Sequence, residues 1–82
     1  MIFKIQRVQE ETGLGRSSVF SYVEKGLLTR QIKCGARSAG WPDYEILEIN
    51  RARIAGKSDD EIRQLVASLH EARKGLDRGV QS

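Results

Sequence analysis

Residues 5–26 read IQRVQEETGLGRSSVFSYVEKG, and this stretch decides the fold. Ile5 and Val8 lie three apart with polar residues between them, the spacing of a short amphipathic helix over residues 4–12. Gly13 follows where the chain must reverse, because glycine enters left-handed backbone without a Cβ clash. Leu14, a lone apolar residue in the turn, is placed to plug the angle between two helices. Gly15 opens a second helix, Arg16 to Lys25, with Val19, Phe20 and Val23 as its apolar positions. Gly26 closes that helix, and Leu27 and Leu28 return to the core. Helix, glycine-bearing turn, helix is the sequence form of a helix-turn-helix.

The other side of the second helix carries Arg16, Ser17, Ser18, Ser21, Tyr22 and Lys25. Base edges in a major groove are reached from the first turn of such a helix. Its unpaired N–H groups suit phosphate, and an arginine there suits guanine or phosphate. Serines also favour helix starts for purely local reasons, so the DNA reading rests on the face as a whole.

Working outward, Thr29 to Trp41 reads as a β-hairpin with a Gly/Ala-rich tip, a wing. Arg30, Lys33 and Arg37, with Ser38 beside the tip, bring donors to phosphates or a minor groove. Pro42 opens a third helix, with Asp43 and Glu45 suited to its first turn. Tyr44, Leu47, Arg51 and Ile54 share one face of it, with Ile46 and Ile49 alongside, and Gly56 ends it. Ser58 and Glu61 have the spacing of a capping box. A last helix is expected from Asp59 to about Lys74, with a stripe of Ile62, Leu65, Val66, Leu69, Ala72 and Leu76. The stripe either packs on the chain's own core or pairs two copies. The dimer is the expectation, through Ile62, Leu65, Val66 and Leu69, because two-fold operators need two-fold proteins. The fold class is therefore mainly α: a helix-turn-helix, a short β-hairpin wing and two C-terminal helices. Residues 1–56 form the DNA-binding unit, 57–76 the dimerising helix and 77–82 a tail.

The 82 residues suffice for one small domain. The net charge of +3 is unevenly spread: residues 1–41 carry seven Lys/Arg against three Glu (+4), and residues 42–82 seven Lys/Arg against eight Asp/Glu (−1). The basic half is the one with the helix-turn-helix, which favours a polyanion partner there. No apolar run approaches the ~20 residues of a membrane span, and the first residues lack the apolar core of a signal peptide. With Cys34 as the one cysteine, the expected setting is a reducing cytoplasm. Enzymatic chemistry is not expected. His70 and Cys34 are single residues in different elements, too few for a metal site and not brought together by this reading. No glycine-rich phosphate cradle occurs, so no cofactor is expected.

The stretch Glu11-Thr12-Gly13-Leu14-Gly15-Arg16-Ser17-Ser18-Val19-Phe20, the hairpin Gly35-Ala36-Arg37-Ser38-Ala39-Gly40-Trp41 and the acidic helix after it resemble the AlpA family of prophage and plasmid regulators. That family is related to excisionases and MerR-like winged helices. The resemblance covers roughly residues 3–55, and residues 52–62 resemble an extension of some members. It implies a DNA-binding transcriptional regulator, with groove contacts at Arg16, Ser17, Ser18 and Ser21 and a wing contact at Arg37. Gly15 stands where a serine cap is expected, and Ser21 where an arginine is frequent.

Three functions are thus in view. The leading one is a dimeric repressor on a palindromic operator of double-stranded DNA. The second is an excisionase-type factor that bends DNA on direct repeats. The third is a protein–protein adaptor using the Ile62–Leu69 stripe without binding DNA.

Overall fold

The computed structural model describes residues 1–81, with side chains through Gly75. Its elements are β1 (Ile2–Phe3), α1 (Ile5–Thr12), α2 (Arg16–Glu24), β2 (Ile32–Gly35), β3 (Ser38–Pro42), α3 (Asp43–Ile54) and α4 (Asp59–Gln81). Mainly α, with a small three-stranded antiparallel sheet, the architecture is the winged-helix-like fold expected from the glycine and apolar spacing.

Gly13 ends α1 at φ 73°, and its N–H donates to the Gln9 carbonyl. Thr12 pins the turn from both sides. Its Oγ1 donates to the Val8 carbonyl at 2.7 Å and accepts from the Leu14 N–H at 3.3 Å. Leu14 is half-buried against the core, as a plug in the inter-helix angle should be. Asn50 of α3 secures the same corner, its Nδ2 donating to the Glu11 carbonyl at 2.7 Å.

The core gathers Phe3, Val8, Val19, Leu27, Leu28, Trp41, Ile46, Ile49, Ile62, Val66 and Leu69 from every helix and two of the strands. Trp41 is fully buried, and its Nε1 donates to the Thr29 carbonyl at 2.7 Å, so the ring has both packing and a partner. On α3 it is Ile46 and Ile49 that face inward. Tyr44, Leu47 and Ile54 remain 47%, 40% and 87% exposed.

The order of the sheet is β1-β3-β2. β1 is an element the hydrophobic pattern did not announce, because two residues carry no periodicity. It reaches β3 only because Gly40 has no side chain: a Cβ there would lie 2.6 Å from the Phe3 carbonyl oxygen.

Two further expectations are corrected. The last helix does not stop near Lys74 but continues to Gln81, so most of the expected tail is helical backbone. The Leu76 side chain lies outside the described residues. The stripe expected to face a second copy is instead occupied at home. Ile62, Val66 and Leu69 are buried in the chain's own core and Leu65 packs half-buried beside them. With α1, α2 and the hairpin contributing few large apolar side chains, α4 closes the core that a small domain needs. Its start is capped as read: the Ser58 N–H donates to Glu61 Oε1 at 3.0 Å and the Glu61 N–H to Ser58 Oγ at 3.2 Å. Those bonds hold the Glu61 carboxyl below its ordinary range.

Candidate nucleic-acid interface

The sequence of α2 leaves its N-terminus open. Gly15 stands at the N-cap in extended conformation with no side-chain cap bond, so the first-turn N–H groups have no side-chain acceptor. Arg16 and Ser17 are exposed in that turn, Ser18 and Ser21 half-exposed, and Lys25 exposed beyond the last turn. These five expected contacts lie along one helix. Tyr22 behaves differently: it packs against the core, and the Arg53 guanidinium of α3 lies 4.9 Å from its ring centroid.

Phe20 is a residue at this end of α2 to which the sequence reading gives no contact role. It shares the apolar positions of α2 with Val19 and Val23, yet it is 37% exposed. The Arg16 guanidinium lies over its ring at 5.9 Å, and its centroid is 6.2 Å from that of Trp41 on β3. The Phe20 ring thus lies between Arg16 at the open end of α2 and the buried Trp41 that anchors β3.

The hairpin expected at 29–41 is present as β2 and β3, with its irregular pairing between Lys33 and Gly35. Lys33 and Arg37 are exposed there. Ser38 is half-exposed, and its Oγ accepts from Lys4 Nζ at 3.4 Å, which adds Lys4 to the cations at this end. Cys34 is free and exposed on β2.

Helix α4 holds both halves of this surface from behind. Arg63 Nε donates to the Lys25 carbonyl at 2.8 Å, fixing the end of α2. His70 Nε2 accepts from the Arg30 N–H at 3.0 Å, and Arg73 donates to the Arg30 carbonyl at 2.7 Å. Arg73 also makes a forked pair with the fully buried Glu45, at 2.8 and 2.6 Å. Arg30, at the approach to β2, thus has an exposed side chain on a doubly held backbone. Burial, and then the Arg30 and Arg73 charges, lower the His70 pKa from its ordinary value.

A family model described as Prophage CP4-57 regulatory protein (AlpA) matches residues 1–54. The chain belongs to the AlpA family. The match spans β1 through the end of α3, the whole surface just described. No curated protein and no solved structure matches the chain. AlpA proteins are a prophage regulatory, DNA-binding family. Among the described residues of this AlpA-family chain, no helix is long and apolar enough to cross a membrane.

Proposed function

We propose that this AlpA-family chain is a sequence-specific transcriptional regulator that sets α2 in a major groove and the hairpin against flanking backbone or minor groove. The observation that carries this reading is the open, exposed N-terminus of α2, which bears Arg16 and has no side-chain cap. Arg16 supplies a bidentate donor for a guanine edge. Ser17, Ser18 and Ser21 let the backbone approach the duplex closely, and Phe20 offers an apolar surface to a thymine methyl. Lys4, Lys25, Arg30, Lys33, Arg37 and Ser38 serve phosphates, which position the protein without reading sequence. Repression as a homodimer on a palindromic operator is the regulatory form proposed, with half-sites about 10–10.5 bp apart.

Selection of bound sites from random duplex DNA tests this directly. The expected outcome is one enriched motif, bound more weakly as salt rises, with a log–log slope of about −0.9 per phosphate neutralised. Arg16→Ala should cost about 1–3 kcal/mol at one base pair and relax preference there. An unchanged motif with Arg16→Ala would remove α2 as the reading helix.

The burial of Ile62, Val66 and Leu69 favours a second reading: an excisionase-type factor whose single copies line up on direct repeats. Inverted repeats in the selected sites support the dimer, and head-to-tail repeats support the excisionase. The absence of any DNA affinity at physiological salt would leave the adaptor.

A further inference from the structure

With the α4 stripe occupied at home, the exposed apolar side chains that remain on one helix face are those of α3. Tyr44, Leu47 and Ile54 recur there at i, i+3 and i+10, with Glu48 and Arg51 between them. A shallow groove lined by Tyr44, Leu47, Glu48 and Arg51 runs along this face. We infer that this face docks a second copy of the chain, α3 against α3 and antiparallel, about a two-fold axis at the level of Ile49.

The pattern is self-complementary about that point. An antiparallel two-fold there maps each residue number onto its reflection through 49, so Tyr44 lies level with the partner's Ile54 and Leu47 with the partner's Arg51. Glu48 and the partner's Arg51 are then one residue, about 1.5 Å, apart along the helix axis. The opposite charges thus meet twice across the axis, once on each side. The charge that remains unspent on α3 fits this pairing. Asp43 is paired with the N-terminal amine and Glu45 with Arg73, while Arg53 lies over Tyr22. Among the described residues, Glu48 and Arg51 make no ion pair within the chain. A groove beside an apolar ridge is also the shape that helix-on-helix packing uses. The face shares no residue with the surface formed by α2 and the hairpin, so pairing leaves the reading residues of both copies uncovered. One helix face is smaller than a standard protein interface, so self-association is followed to high protein concentration. The inference bears on the dimeric reading above, but its test needs no DNA.

Sedimentation equilibrium on the full chain without DNA, from micromolar to millimolar concentration, is the experiment. Wild type should show reversible monomer–dimer association. Leu47→Asp should be monomeric throughout while keeping its far-ultraviolet circular dichroism. Glu48→Arg and Arg51→Glu should each weaken self-association at least about ten-fold through like-charge contact. Mixed one to one, those two variants should associate again, because each then meets its opposite. A wild-type chain monomeric at millimolar concentration overturns the inference. So does a dimer that survives Leu47→Asp, or two charge variants that fail to rescue each other. A gel shift on the selected DNA reads the other question separately. Dimers that bind no DNA would sink the DNA reading alone, and DNA-binding monomers would sink this surface alone.

Discussion

Replacing Arg73 by alanine removes the partner of a carboxylate that water does not reach. Glu45 is fully buried and accepts both forks of the Arg73 guanidinium, which is itself 20% exposed at the edge of the fold. Breaking a buried pair from one side typically costs about 3–5 kcal/mol, because the charge left behind is uncompensated. Solvent reaches this pair from the arginine side, which sets the expectation at the lower end, about 3 kcal/mol. For a chain of 82 residues, with a total stability of about 4–12 kcal/mol, that is a large fraction. The one tryptophan, Trp41, is fully buried and gives a natural fluorescence probe for urea unfolding. At a slope of about 1 kcal/mol per molar urea, the midpoint should fall by about 3 M. The control is Arg73→Met with Glu45→Leu. Removing both charges together avoids the orphaned carboxylate and loses chiefly the bond to the Arg30 carbonyl, so this double variant should lie within about 1 kcal/mol of wild type. A midpoint shift below about 0.5 M for Arg73→Ala, or a double variant no better than that single one, would refute the reasoning.

Two more predictions concern the same scaffold. Folding favours neutral His70, because burial and then the Arg30 and Arg73 charges lower its pKa below the ordinary 6.5, while Glu45 opposes them. Its contribution to stability is thus fully present above about pH 6.5 and is lost as pH falls through the lowered folded value. A urea series across that window should show this loss, and His70→Gln should remove that part of the pH dependence. Gly40→Ala places a methyl 2.6 Å from the Phe3 carbonyl oxygen and 2.7 Å from Ile2 Cγ2. It should force β1 off β3 at a cost of about 1–3 kcal/mol, read as a lower Tm in calorimetry, and an unchanged Tm would mean that the β1 pairing contributes nothing.

Much of this chain was legible in its sequence because the deciding interactions are local. Gly13 ends α1 in the left-handed conformation expected of it, Leu14 plugs the turn, and Ser58 with Glu61 caps α4 as their spacing dictates. The hairpin around Arg37 was likewise readable, from alternation and a glycine-rich tip. Arg16, Ser17, Ser18, Ser21 and Lys25 could be placed along one helix because a helical period orders neighbours without any knowledge of the rest of the fold.

What local order left open, tertiary packing decided. A stripe such as Ile62–Leu69 has the same period whether it meets its own core or a second copy, and the choice went to the core because α4 is needed to close it. Glu45 read as an ordinary first-turn acid, and only the return of α4 brought Arg73, 28 positions away, against it. Phe20 read only as an apolar position of α2; Val19 and Val23 take the inward face, and packing leaves its ring part-exposed beside Arg16 and Trp41. In each case the hydrophobic period names a face, while what covers that face depends on residues far along the chain, which no local spacing records.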